Sequence, residues 1–154
     1  MAKTSLLLTE LRRDHPVVTF EPGDDFYWSP TNQTVYFAAL DSSLDRLTLL
    51  HETAHALLGH QGYNRDINLL KIEREAWELA RDTLAPHYGL KIETELIEEM
   101  LDSYRDWLHA RSRCPKCQLT GIQTDESTYQ CLGCNATWHV NEARRCRLKR
   151  TSLS

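Results

Sequence analysis

Five residues near the middle of the chain, His51-Glu52-Thr53-Ala54-His55, carry metal chemistry in their types and spacing. Residues four apart on an α-helix lie nearly one above the other, so two neutral imidazoles on one face can grip a single Zn²⁺. Glu52 lies about 100° further round and is placed to act as general base toward a water at that ion. This H-E-x-x-H pattern is one that metalloproteases use for amide hydrolysis. Such a zinc keeps three protein ligands and one open position, so a third ligand must come from another element. The plainer alternative is an amphipathic helix with two satisfied histidines at a core edge. Glu52 and the glutamates downstream would then be accidental.

A second constellation lies nearer the C-terminus. Cys114-Pro-Lys-Cys117 and Cys131-Leu-Gly-Cys134 are separated by thirteen residues. Two C-x₂-C pairs at such a spacing make a closed tetrahedral Cys₄ shell, a structural zinc ribbon without a catalytic position. Iron in a rubredoxin-like site is the minority alternative. His139 is not needed by that shell, and Cys146 is left over as a plain thiol. Behind the ribbon, Arg144, Arg145, Arg147, Lys149 and Arg150 form a basic run. It reads either as a contact for nucleic-acid phosphates or an acidic partner, or as a solubilising, partly disordered tail.

The elements that must position these groups follow from pattern. Ser42 and Asp45 resemble a capping box, and the metal helix is expected over residues 43–59. On its wheel Leu47, Leu50, Ala54, Leu57 and Leu58 form an apolar stripe with His51 and His55 along one edge. His60, extrapolated on the same wheel, falls on the far side and is a poor co-ligand. A helix is expected over residues 3–13, then strands at 17–20, 26–28 and 34–39 forming a small antiparallel sheet. A second long helix should cover residues 66–84, stopped by Pro86. Its stripe is Leu69, Ile72, Ala76, Leu79 and Ala80. Glu73 and Glu75 flank it on opposite sides, and helix geometry does not choose between them as third ligand. A third helix is expected over residues 92–111, with a Glu-rich solvated face.

Composition sets the bounds. With 154 residues and 41% hydrophobic content, one compact domain plus a small appendage is expected, not a disordered chain. No apolar run approaches the roughly 18 residues that span a bilayer, and the N-terminal three-leucine run is too short for a secretory signal. The expected location is the cytoplasm, without membrane partners. There, five cysteines point to metal before disulfides. The net charge of −4 is uneven: residues 1–111 carry 11 Lys and Arg against 19 Asp and Glu, and residues 112–154 carry 7 against 3. The fold class read from all this is α+β. A small antiparallel sheet packs on the HExxH helix and two further helices in a minimal zincin-like arrangement, with a zinc-ribbon module appended. The expected domains are 1–111, 112–140 and a basic tail at 141–154.

The run RLTLLHETAHALLGH, followed by EREAWELARDTLAP, resembles the ImmA/IrrE family of zinc metallopeptidases. Arg46, Thr48, Leu49, His51, Glu52, His55, Leu58, Gly59 and His60 match the first part of the family pattern. Glu75-Ala76, Ala80, Leu84 and Pro86 match the second. Trp77 stands where Asn is usual, Leu79 where Phe is usual, and Thr53-Ala54 where Leu-Gly is usual. The resemblance covers roughly residues 17 to 86 and does not account for the Cys₄ ribbon. It implies that Glu75 is the third ligand and that the chain is an intracellular peptidase, of a kind often encoded near a repressor in phages or mobile elements, whose relatives cut or regulate a helix-turn-helix repressor. SprT-like proteases also join HExxH to a ribbon, but their later H-G-x-x-[FW] segment is not found here.

The expected activity is therefore hydrolysis of a peptide bond in an intracellular protein, with two Zn²⁺ per chain, one catalytic and one structural. Tyr63, His87 and Tyr88 are candidate oxyanion donors. The rival from another class is a non-cleaving zinc-ribbon regulator that binds a repressor or nucleic acid.

Overall fold

The computed structural model describes residues 2–62, 65–141 and 150–153. The chain is α+β, and it divides into two compact units: Met1–Gly62 with Ile72–Ile97, and Tyr63–Lys71 with Glu98–Ser154. Among the described residues, no helix is long and apolar enough to cross a membrane.

The first unit opens with helix α1 (Ala2–Asp14), which buries Leu7 and Leu11. Strands β1 (Thr19–Pro22), β2 (Tyr27–Ser29) and β3 (Thr34–Phe37) form a sheet of order β1-β3-β2. This sheet is mixed, not antiparallel as expected: β2 pairs antiparallel with β3, but β1 runs parallel to it, Phe20 opposite Val35. The reason lies in the turn after Pro22. Gly23 donates its N–H to Phe37 O at 2.8 Å, so the chain crosses the end of β3 instead of folding back along β1. β3 therefore becomes central, with Thr34 and Val35 buried.

Helix α2 (Ser43–Leu58) starts at the expected capping box, with Asp45 N–H on Ser42 Oγ at 3.1 Å and Ser42 N–H on Asp45 Oδ2 at 2.9 Å. It buries Leu49, Leu50, Thr53 and Ala54 together with both histidines of the motif. Leu57 and Leu58, placed on the apolar stripe by the wheel, are 38% and 42% exposed, since the last turn reaches beyond the buried face. The helix ends in a Schellman motif: Gly59 N–H meets Ala56 O at 3.1 Å and His60 N–H meets His55 O at 3.1 Å. Gly59 sits at φ 65°, the left-handed conformation this ending requires.

Helix α3 (Asp66–Leu79) does not run on unbroken to Leu84. A π-helical turn (Ala80–Leu84) follows, then the short helix α4 (Ala85–His87), in which Pro86 occupies the first turn. In the π turn Ala85 N–H bonds to Ala80 O, one residue further back than in an α-helix. That wider register makes room for the proline ring, which would otherwise end the helix. Helix α5 (Thr94–Ser112) completes the helical part and buries Ile97, Leu101 and Leu108.

In the second unit, strands β4 (Ile122–Gln123), β5 (Thr128–Gln130), β6 (Thr137–Val140) and β7 (Arg150–Ser152) form an antiparallel meander. The sheet thus extends past residue 140, where the ribbon was expected to end. Arg150, assigned to a tail, instead pairs with Val140 in β7 and donates from its guanidinium to Arg113 O at 2.6 Å. Arg144, Arg145, Cys146, Arg147 and Lys149 lie outside the described residues. The small core is Cys114, Tyr129, Cys131, Ala136, Trp138 and Val140, with Tyr129 and Trp138 stacked at 5.7 Å. Gly121 lets Trp138 in: a Cβ there would stand 2.4 Å from the indole and 2.8 Å from Gln130 O. Because one obstacle is backbone, Gly121→Ala is expected to cost about 1–3 kcal/mol in denaturant unfolding. An unchanged midpoint would contradict this packing.

Candidate metal centres

Three polar side chains meet in the interior of the first unit. His51 and His55, one turn apart on α2, both turn Nε2 toward Glu73 on α3. His51 Nε2 is 2.8 Å from Glu73 Oε2, His55 Nε2 is 3.3 Å from the same oxygen, and the two nitrogens are 3.2 Å apart. All three residues are buried, at 3%, 5% and 6% exposure. Burial by itself pushes the Glu73 carboxyl up. Hydrogen bonds and charge from the two imidazoles outweigh it and hold the group well below the usual carboxylate range.

The triangle fits an ion. Four ligands at about 2.0–2.1 Å in a tetrahedron stand about 3.3–3.4 Å apart. The observed edges of 2.8–3.3 Å are close to that. Hydrogen bonds serve the cluster less well. If both imidazoles donate from Nε2 to the carboxylate, those two donors face each other at 3.2 Å. A cation at the centre satisfies all three atoms at once.

The third corner is Glu73, not the Glu75 implied by the family resemblance. Glu75 Oε2 is bonded to His60 Nε2 at 3.1 Å, and its side chain is 43% exposed. The buried residues of α3 and the turn after it are Leu69, Glu73, Ala76, Trp77 and Ala80. At about 100° per residue these fall on one face, and Glu75 falls nearly opposite it. Trp77 accounts for the difference, because its ring stacks on His51 with centroids 4.1 Å apart and planes at 18°. That stacking leaves its buried Nε1 without a hydrogen-bond acceptor among the described residues.

His60 is likewise not on the far side. The helix stops before it, and the Schellman turn brings its ring back beneath His55, Nδ1 to Nδ1 at 2.9 Å. Glu52 is half-buried next to His51, and its Oε2 accepts the Trp28 backbone N–H at 3.0 Å.

The candidate oxyanion donors are engaged elsewhere. Tyr88 donates its hydroxyl to Asp14 Oδ2 at 2.8 Å, and His87 Nε2 is 3.4 Å from that oxygen. Burial, then the Asp14 carboxylate, raises the Tyr88 phenol above its ordinary range. Tyr63 lies outside the described residues.

In the second unit the four cysteines converge as their spacing requires. Cys114 and Cys134 sulfurs are 3.7 Å apart, and those of Cys117 and Cys131 are 3.4 Å apart. A tetrahedron with bonds of about 2.3 Å has edges of about 3.8 Å. The two knuckles repeat one backbone. Cys114 N–H bonds to Leu119 O at 2.7 Å and Cys131 N–H to Ala136 O at 2.8 Å; Gln118 N–H and Asn135 N–H each return to the first cysteine's carbonyl at 3.0 Å. Gln118 and Asn135 both hold positive φ, at 70° and 62°. Backbone N–H groups also point at sulfur, from Cys117 to Cys114 at 3.4 Å and from Gly133 to Cys131 at 3.3 Å.

Such donors favour thiolates, but four adjacent thiolates repel without a cation. The thiol values split accordingly. Burial raises Cys114, but the N–H groups of Cys117 and Lys116 and the neighbouring sulfurs bring it down to about 6. The Leu119 N–H lowers Cys117, but the Cys131 sulfur, burial and the other thiols push it up to about 12.

Fold and sites together define an α+β protein with a Cys₄ cluster able to hold an ion such as zinc and a separate buried His₂–Glu cluster. Comparison with protein-family models, with curated proteins and with solved structures finds no match to this chain.

Proposed function

We propose that this chain is a zinc-dependent peptidase whose ion is held by His51, His55 and Glu73. The observation that carries the proposal is the convergence of those three buried side chains, with a second acid, Glu52, next to His51 on the same helix. When bound, zinc supplies the Lewis acid that polarises a scissile carbonyl and brings the pKa of water to about 7.

The remaining chemistry falls to the chain. Glu52 takes a proton from the attacking water as the new C–O bond forms, then passes it to the departing amine as the C–N bond breaks. The Trp28 N–H on its Oε2 at 3.0 Å helps hold the carboxylate in place. His51 is steadied by the Trp77 ring. The Cys₄ module, carrying the positive share of the chain's charge, would hold a structural zinc and dock substrate or nucleic acid. The motif resemblance favours an intracellular repressor protein as substrate.

Digestion of a proteome-derived peptide library by the zinc-loaded protein, compared with Glu52→Gln, tests this. Removing a general base should lower cleavage by about 10²–10⁴-fold while zinc content stays the same. Equal cleavage by the two proteins, or none by the native one, would reject the peptidase and favour a binding protein.

A further inference from the structure

Behind His55 lies a chain of polar contacts that the hydrolytic reading does not use. His55 Nδ1 meets His60 Nδ1 at 2.9 Å, and His60 Nε2 meets Glu75 Oε2 at 3.1 Å. We propose that His60 and Glu75 are positioning residues, forming a carboxylate–imidazole relay that fixes His55 in the ring orientation and tautomer needed to ligate zinc. This rests on reading His51, His55 and Glu73 as the zinc triad.

Proton bookkeeping makes the chain directional. Ligation through Nε2 leaves the His55 proton on Nδ1, so His55 donates to His60 Nδ1. His60 Nδ1 must then be bare, which places the His60 proton on Nε2. That N–H points at the Glu75 carboxylate. Every nitrogen in the series has one role and every role is filled. Metal-ligating histidines commonly donate their second N–H to a carboxylate or carbonyl, which orients the ring and raises its basicity. Here an imidazole stands between ligand and carboxylate.

The relay is built into the backbone. The Schellman turn at Gly59 ties His60 N–H to His55 O, and Trp28 Nε1 donates to His60 O at 2.8 Å. The His60 peptide is therefore held at both its N–H and its carbonyl, and its side chain is only 10% exposed. Glu75, 43% exposed, ends the chain at a solvated carboxylate. The arrangement also separates how the two ligand rings are held: His51 by stacking on Trp77, His55 by hydrogen bonding through His60.

Zinc affinity of the full chain, measured by competition with a chromophoric chelator, tests the relay without reference to cleavage. His60→Ala and Glu75→Ala should each weaken the helix-site zinc by about 10–100-fold, with the Cys₄ zinc unaffected. Combining them should cost little more than one alone, because both break the same chain. Independently, ¹⁵N spectra of the unmutated zinc-loaded protein should show His60 protonated at Nε2 and bare at Nδ1. Native affinity in both variants, or a His60 proton on Nδ1, overturns the relay and leaves the zinc triad standing. Complete zinc loss in Glu75→Ala but not in Glu73→Ala makes Glu75 a ligand and also overturns it. A native chain that binds no zinc outside the ribbon removes the triad and the relay together.

Discussion

Glu73→Ala should reduce zinc from two ions per chain to one, read by elemental analysis after dialysis, while Glu75→Ala should leave both bound at saturating metal. Among the described residues, Glu73 is the one carboxylate in the cluster with the two imidazoles. Its loss leaves two nitrogen ligands on one helix and a void where a buried charge stood. The drop in affinity should exceed the roughly 100-fold that losing an outer partner of a ligand costs. His51→Ala should give the same stoichiometry by removing another corner. If Glu73→Ala instead keeps two ions and Glu75→Ala keeps one, the side-chain arrangement on α3 described here is wrong. The contrast between residues two apart is informative because both are helix glutamates of equal intrinsic affinity. Only the face they occupy differs.

Removal of the metal proposed for the Cys₄ cluster should have the larger effect on folding. The core of that module is six residues, and two of them, Cys114 and Cys131, belong to the thiolate cluster. Such a core cannot order four short strands alone, since small modules of this size usually need a metal or disulfides. Structural zinc contributes about 10–16 kcal/mol in comparable peptide sites, as much as the entire stability of most domains, about 5–15 kcal/mol. Cys114→Ser, or a strong chelator, should therefore abolish amide-exchange protection in β5 and β6 and the near-UV dichroism of the stacked Tyr129–Trp138 pair. Protection of Leu49, Leu50 and Ala54 in α2 should survive, because their burial does not depend on sulfur. Full protection of β5 and β6 in the metal-stripped variant would show that the ribbon folds on its apolar core alone.

The two clusters were not equally legible. The Cys₄ site could be read directly, because each C-x₂-C pair closes a local turn and only two such turns need to meet. Gln118 and Asn135, which take the left-handed positions of the knuckles, would have been easier to see as glycines. The capping box of α2 was equally visible, being made within four residues. The carboxylate that completes the His₂–Glu cluster was not. Counting Ile72 and Leu79 as the apolar stripe of α3 leaves Glu73 and Glu75 on its two flanks. Counting Trp77, which is 3% exposed, centres the stripe near Glu73. The tryptophan was the available signal, and its weight became clear only from the stacking on His51. His60 was misplaced for a related reason, since a helical wheel holds only while the helix does.

What the sequence alone determined is local: the histidines on one helical face, the acid beside them, the cysteine knuckles, and the existence of most helices and strands. These depend on contacts a few residues apart. Tertiary structure decided which glutamate faces the imidazoles, that β1 lies parallel to β3, that the chain past residue 140 returns as β7, and that the opening turns of α3 belong with the ribbon's unit. Each of those is a choice between faces or neighbours of similar local energy. It is settled by which arrangement buries Trp77, Val35 and Trp138 together with their partners, and that sum runs over residues far apart in the chain.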